Sequence, residues 1–233
     1  MRCVVLLGAF IDWFQAVGTF GAVVAAVGIA VWGVHRERRQ RPSLTLAFDT
    51  SLQPPDFMAG MWSGDGVDWY ESHWVRLRVQ NAAGRKSADD VEVLLREVQS
   101  LDEAADVRTL DVCPLRWSST QGPADGALTR ITIPPGLARH VDLLAIDGSG
   151  AGSAAEPTEP VAALQVWPRP TDNRHLLPAG RYVLHLAVVA RDTDATFFDL
   201  EVSVPGEHLN AEDVRKHLQV STPVKRPTIR RRP

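Results

Sequence analysis

An uninterrupted apolar run from Phe14 to Val34, closed by His35-Arg36-Glu37-Arg38-Arg39-Gln40-Arg41-Pro42, constrains this chain more than any other feature. No ionisable side chain lies between Asp12 and His35, and Gln15 and Thr19 are the only polar ones there. A helix rises 1.5 Å per residue, so about 20 apolar residues match the ~30 Å hydrocarbon layer of a bilayer. Trp13 and Trp32 stand near the two ends. Their spacing puts the indoles roughly 28 Å apart along a helix, one in each interface, where amphipathic rings are favoured. The run predicts a transmembrane helix over 12–35 and a basic juxtamembrane stop over 36–42, after a short outer segment over 1–11 that lies in the outer interface or extends the helix past Asp12.

Charge sets the expected orientation. Arg36, Arg38, Arg39 and Arg41 follow the span, whereas only Arg2 precedes it. The positive-inside rule then places the N-terminus outside and everything after the span in the cytoplasm. A cleavable signal peptide is the competing reading. Its basic region would be a single arginine, its apolar run Cys3–Ile11 is short, and no small-x-small cleavage site precedes a polar start. Cys3 lacks an upstream apolar lipobox. Gly18, Ala22, Ala26 and Ala30 recur every fourth residue, with Gly21 and Ala25 beside them. Small residues at this spacing let two helices approach closely, which makes self-association through the span one reading. An Ala/Gly/Val-rich composition is the other.

Twenty-two arginines accompany only three lysines, Lys86, Lys216 and Lys225, and alanine, valine and glycine are abundant. That bias points to a GC-rich bacterial gene. The net charge of −3 hides segregation. Residues 42–212 hold 13 basic and 25 acidic side chains, a net of −12, while residues 213–233 hold 7 basic and one acidic, a net of +6. Cys3 and Cys113, on opposite sides of the span, cannot pair, so no disulfide framework exists and a reducing compartment is compatible.

After the anchor, about 190 residues suffice for one domain of ordinary size. Period-2 alternation marks strands at Ser43–Thr50, with Leu44, Leu46 and Phe48 on one face, and at Trp74–Asn81, with Val75, Leu77 and Val79 inward and Arg76, Arg78 and Gln80 outward. Val91–Val98 continues the pattern after a turn at Asn81-Ala82-Ala83-Gly84-Arg85. Further strands are predicted at Leu115–Ser118, Leu128–Ile133, His140–Ile146, Ala162–Trp167, Gly180–Arg191 and Thr196–Val204, the last two forming a hairpin across Asp192-Thr193-Asp194. Prolines punctuate the gaps. Short alternating strands between Gly/Pro turns predict a mainly β fold, an acidic β-sandwich over 43–206. Asn210 caps an expected short helix, Ala211–Val220, within a segment 207–220, and a Pro/Arg-rich disordered tail over 221–233 follows.

The stretch Trp74–Val93 resembles bacterial membrane-tethered β-sandwich modules: a strand ending in Asn81, then Gly84, Ala88 and Val91-Glu92-Val93. Ile133-Pro134-Pro135-Gly136 and Leu177-Pro178-Ala179-Gly180-Arg181-Tyr182, a Pro-x-Gly-x-Tyr opening, fit the same pattern. Together they are similar to cell-adhesion-related and fibronectin-type-III-like domains over about half of the soluble part. The resemblance implies an Ig/fibronectin-III-like sandwich, a non-catalytic role and no active-site residues. Such modules usually stand outside the cell, whereas the charge rule puts this one inside.

Chemistry-bearing motifs are sparse. Asp147-Gly148-Ser149-Gly150-Ala151-Gly152-Ser153 lacks the Lys-Ser/Thr of a phosphate-binding loop and reads as a linker. The soluble histidines show no zinc-ligand spacing, and Asp192, Asp194 and Asp199 read as turn formers rather than a calcium site. Cys113, before Pro114, reads as a small apolar residue. No cofactor, metal or catalytic set is expected.

Two segments carry functional expectations. The predicted loop Pro54–Tyr70 holds Phe57, Met58, Met61, Trp62, Trp69 and Tyr70, a candidate partner-binding surface or a lid completing the core. The tail holds Lys225, Arg226, Arg230, Arg231 and Arg232, candidate contacts to anionic lipid, with nucleic acid disfavoured. The chain thus reads as a single-pass interaction module whose partners are the bilayer and an unknown protein. The alternatives are an extracytoplasmic adhesion-like domain binding wall polymer or surface protein, and a membrane-bound enzyme or ligand sensor using residues 54–70.

Overall fold

The computed structural model describes residues 2–54, 56–63, 69–102, 107–108, 111–118, 129–147, 162–171, 174–191, 193–205, 214 and 216–227. They form two units, residues 1–41 and 42–233.

The first unit is one helix, α1 (Arg2–Gln40), longer than the expected span at both ends. Residues 2–11 are part of the same helix, and the run contains no proline to end it. The Arg41 amide donates to the Glu37 carbonyl at 3.1 Å, and Pro42, without an N–H, stops the ladder. Over Phe20–Gln40 the helix is long and apolar enough to cross a membrane. Its large side chains there, among them Phe20, Ile29, Val31 and Trp32, are exposed.

The second unit is mainly β. In chain order its strands are β1 (Leu44–Ala47), β2 (Phe57–Ser63), β3 (Trp69–Asn81), β4 (Ala88–Ser100), β5 (Val107–Arg108), β6 (Cys113–Pro114), β7 (Arg116–Trp117) and β8 (Ile131–Ile133). There follow β9 (Ala138–Asp147), β10 (Ala162–Leu164), β11 (Leu176–Leu177), β12 (Gly180–Val189), β13 (Thr196–Val204), β14 (Gln219–Val220) and β15 (Val224–Lys225). They build two antiparallel sheets. In the first, β3 and β9 pair at the centre, β1 and β2 share the far edge of β3, and β7 and β10 share the far edge of β9, with β11 outermost. In the second, β13, β12 and β4 pair in that order; β14 and β15 line the outer edge of β13, and β5, β6 and β8 line β4.

The inward faces are those the alternation marks. Val75, Leu77 and Val79 of β3 and Val91, Val93 and Leu95 of β4 are fully buried in one core, joined by Leu184, Leu186, Leu200 and Val202 of the second sheet. Two bulges adjust the registers. Leu143 has no partner where β3 and β9 shift between Val75 and Arg76, which brings Arg76 opposite Asp142. Arg96 has none where β12 and β4 shift between His185 and Leu186.

Asn81 joins the sheets. Its side chain is completely buried, its Nδ2 donates to the carbonyls of Lys86 (2.8 Å) and Ile133 (3.0 Å), and its Oδ1 accepts from the Ser43 amide at 3.2 Å. Its backbone N–H donates to Leu137 and its carbonyl accepts from Gly136. The turn it opens needs Gly84 at φ +72°, a left-handed conformation that costs a side chain dearly.

Two expectations are corrected. Within the loop expected over Pro54–Tyr70, Phe57–Ser63 is a strand instead: β2 pairs with β3 from Phe57↔Val75 to Ser63↔Trp69, and residues 55 and 64–68 lie outside the described residues. Its aromatic content suits a pleated strand better than a loop. The C-terminal segment departs likewise. Val214 and His217 are helical, but Gln219–Val220 has left the helix to pair with Val202 and Ser203, and Val224–Lys225, expected as disordered tail, pairs with Phe198 and Asp199. The open edge of β13 supplies backbone partners that no local pattern announces. The Asn210 cap and residues 228–233 lie outside the described residues.

Asn81→Ala leaves an amide and two carbonyls without their partner, so urea denaturation of the chain in micelles is expected to show a loss of roughly 3 kcal/mol. Asn81→Asp does not rescue it, because a carboxylate would face the Lys86 and Ile133 carbonyls; stability within 0.5 kcal/mol of the original (a margin set by the spread of ordinary surface changes, about ±0.5 kcal/mol) would remove Asn81 from this role.

Candidate functional site

The outward face of the first sheet carries a polar cluster built by cross-strand pairing. Arg76 on β3 and Arg116 on β7 both register with Asp142 on β9, which lies between them. The Arg76 Nε donates to Asp142 Oδ1 at 2.9 Å, and an Arg76 Nη1 lies 2.7 Å from the Met58 sulfur. Asp56, on the short connection between β1 and β2, fills the gap these strands leave along β3: its carbonyl accepts from the Arg76 amide at 2.8 Å. The Asp56 side chain is 1% exposed. One oxygen accepts from the Asp49 amide at 2.8 Å, and the other lies 3.1 Å from His140 Nε2. A carboxylate only accepts, so Nε2 carries the hydrogen and Nδ1 is the open nitrogen of the neutral ring. Ser118 is held beside this histidine by its amide, which donates to the His140 carbonyl at 2.9 Å. Arg76, Ser118, Ala138, Arg139 and His140 line a cavity of about 190 Å³. Nearby, hydrogen bonds from Ser51 and the positive charge of Arg78 hold the Asp49 carboxyl below its usual range.

A second cluster sits on the outward face of the other sheet. His185 on β12 registers with Glu97 on β4 and Asp199 on β13. Asp199 Oδ1 is 2.7 Å from His185 Nδ1, the Arg226 Nε donates to Asp199 Oδ2 at 2.5 Å, and an Arg226 Nη2 lies 2.7 Å from the same Nδ1. Nδ1 has one role at a time: with a hydrogen it donates to Asp199, without one it accepts from Arg226. Burial raises the Asp199 carboxyl, but the bonds from Arg226 and His185 and their charges outweigh it, and the net shift is downward.

The expected site residues divide among these surroundings. Trp32, Ala22, Ala26 and Ala30 are exposed on α1, and the Arg36 guanidinium stands 5.3 Å over the Trp32 ring, a cation–π contact one turn apart. Trp13 and Gly18 are helical, and the Trp13 side chain lies outside the described residues. Phe57 is fully buried and stacks on His73 with centroids 5.7 Å apart, so it belongs to the core and not to a recognition surface. Met61 pairs with Glu71, Trp62 with Tyr70 and Ser63 with Trp69 in the hairpin; their side chains lie outside the described residues. Lys225 is exposed, whereas Arg226 is held by Asp199 and His185 and is not a free lipid contact. Arg230, Arg231 and Arg232 lie outside the described residues, as does the glycine-rich 148–153 segment. Burial pushes the Cys113 thiol up, with Asp111 adding to the effect and Arg174 opposing it.

The clusters escape a local reading because their members are far apart: Asp56 and His140 are 84 residues apart, His185 and Arg226 are 41. One signal was available. His140 and Asp142 share the outward parity of a predicted strand, as Arg76 and Arg78 do on another. The chain matches no family model, no curated protein and no solved structure.

Asp199→Asn is expected to cost about 1 kcal/mol at pH 7 by removing a charge-assisted pair that is only partly buried. The carboxyl is depressed in the folded state, so its contribution is present above the unfolded pKa and is lost as pH falls through the lower folded value. Denaturation midpoints of the two proteins therefore converge as pH is taken from 7 to below the ordinary carboxylate range.

Proposed function

We propose that this chain is a membrane-anchored interaction module of a bacterial cell membrane. In this reading α1 crosses the inner membrane with its N-terminus outside, and the β unit stands at the cytoplasmic face, docking another macromolecule without catalysing a reaction. The observation that carries the reading is α1 itself: a continuous helix whose stretch Phe20–Gln40 is long and apolar enough to cross a membrane, with exposed apolar side chains that lipid would cover. Arg36, Arg38, Arg39 and Arg41 at its C-terminal end support the orientation, because cytoplasmic flanks carry the excess of basic residues. The Trp32–Arg36 contact suits an interface, where an indole and a guanidinium both find partners.

The finer fold proposed is an Ig/fibronectin-III-like sandwich. Two antiparallel sheets on one core support it. So does Tyr182, whose hydroxyl donates to the Pro178 carbonyl at 2.9 Å, a tie to backbone a few residues upstream that such sandwiches use at a corner. A module of this kind meets partners through turns and sheet edges. Lys225 and the arginines at 230–232 are proposed to touch the anionic leaflet, and the exposed small residues Ala22, Ala26 and Ala30 give the span a face for association with a second helix.

Protease protection of a C-terminal tag in intact spheroplasts tests the orientation. The tag is expected to survive until the spheroplasts are lysed. Cleavage in intact spheroplasts would overturn the cytoplasmic reading and leave an extracytoplasmic module with wall polymer as the ligand to test.

A further inference from the structure

In the membrane-anchored reading, on which this inference rests, Arg41 stands six residues past His35, roughly 9 Å along a helix. A headgroup layer is about 5–8 Å deep, so Arg41 lies at its outer border. Ser43 follows two residues later. An extended chain covers at most about 3.6 Å per residue, which keeps Ser43 within ~7 Å of Arg41 at any angle between the two units. Two turns of the β unit, residues 82–87 and 134–137, are hydrogen-bonded at this point. The Ala82 amide donates to the Ser43 carbonyl at 3.0 Å, and the Ser43 amide donates to Asn81 Oδ1 at 3.2 Å. The Gly136 amide donates to the Asn81 carbonyl at 2.9 Å, and the Leu137 carbonyl accepts from the Asn81 amide at 3.1 Å. Both turns are therefore held where the chain enters the β unit.

Their side chains suit a lipid surface. Lys86 and Arg139 are exposed and Arg85 is half-exposed. Residues 82–87 and 134–139 contain no acid, although residues 42–212 carry a net charge of −12. Among the described residues, opposing charge at this end comes from the second sheet: Asp194, and Asp89, whose carboxylate accepts from the Thr132 hydroxyl at 3.0 Å. There Asp90 is paired with Arg191, and Glu92 with Arg130 at 2.9 Å. Leu137 is a large aliphatic residue left 49% exposed at the end of its turn. That turn has no free N–H. Pro134 and Pro135 have none, the Gly136 N–H is held by Asn81, and the Leu137 N–H donates to the Pro134 carbonyl at 3.2 Å. Such a turn enters a poorly hydrated interface without stranding an amide.

We propose that this rim of the β unit, carrying Arg85, Lys86, Leu137 and Arg139, docks on the anionic lipid surface from which the chain emerges. The basic side chains meet lipid phosphates, and the Leu137 side chain enters the boundary between headgroups and acyl chains. Screening at physiological salt leaves a reach of about 8 Å, so the leaflet acts on this rim. It does not act on the far end of β4, a strand of 13 residues that runs roughly 40 Å from the turn at residues 82–87. The field that attracts the rim repels the acidic remainder of the unit, so attraction and repulsion turn the unit the same way. Docking then presents the far end, with Leu101 and the Arg181–Asp102 pair, to a partner in solution. The docking is the same on either side of a membrane whose leaflets are both anionic.

Nitroxide labels test this in the full chain, placed in nanodiscs of equal parts phosphatidylcholine and phosphatidylglycerol. In a Cys3→Ser, Cys113→Ala background, the label is attached through Leu137→Cys or, at the far end, through Leu101→Cys. The label at 137 is expected to be shielded from an aqueous nickel chelate and the label at 101 to be open to it. Omitting phosphatidylglycerol is expected to remove the shielding. Arg85→Gln and Lys86→Gln are each expected to lower the ratio of docked to undocked molecules about fivefold. Arg181→Gln, beside Asp102, leaves the ratio unchanged. Unaltered thermal midpoints show that the variants fold. Failure of the chain to co-elute with nanodiscs would overturn the anchor and this proposal together. Co-elution with equal nickel access at 137 and 101, shielding that persists in phosphatidylcholine alone, or an equal response to Arg181→Gln would leave the anchor standing and overturn the docking.

Discussion

The β unit depends on the buried amide of Asn81. A sheet edge or a turn can satisfy its backbone with water; the crossing from one packed sheet to another inside a core cannot. Here the end of β3, the start of β1, the turn into β4, and the β8–β9 connection meet in one place, and each arrives with a backbone group that needs a partner. A single carboxamide meets three of these needs, and the backbone of the same residue meets two more. An apolar residue of the same size would fill the volume and leave the groups stranded. Gly84 and Gly136, both left-handed, bend the two turns that pack against this point.

With the crossing fixed, the two sheets divide their faces by the pleat. Inward positions are aliphatic and close-packed. Outward positions hold the charges, and neighbouring strands set them side by side: arginine, aspartate and arginine across β3, β9 and β7, and glutamate, histidine and aspartate across β4, β12 and β13. Neither arrangement exists within a segment of chain. Both are products of register, and a bulge lies beside each, so insertion of a single residue in β9 or β4 decides which polar groups face one another.

The same contrast explains what could be read from the amino-acid order. Alternation is local, so Val75-Leu77-Val79, Val91-Val93-Leu95 and the strand Thr196–Val204 are apparent without any structure. The apolar run before Arg36 is local too, and it is helical throughout. Phe57–Ser63 is different: Pro54 and Pro55 just before it and Gly60 within it obscure its alternation, and only pairing with β3 makes it a strand. Gln219–Val220 and Val224–Lys225 are too short to show a period, and the ladder of β13 defines them. The pairs Asp56–His140 and Asp199–Arg226 need the topology first and the residue types second.

The segment that follows Leu218 has a consequence in the membrane-anchored reading proposed above. Its two short strands, β14 and β15, lie along β13, closed by Ser221 and Arg226 bonding back to Glu201 and Phe197, with Pro223 between them and Pro227 just after them. Proline has no N–H to offer, so the outer side of this segment is a poor template for another chain. Molecules restricted to two dimensions meet far more often than the same number in free solution. A bare β13 edge under that crowding would invite copy after copy to stack into a shared sheet. The covering segment turns a sticky border into a blunt one, and lets neighbours collide and part.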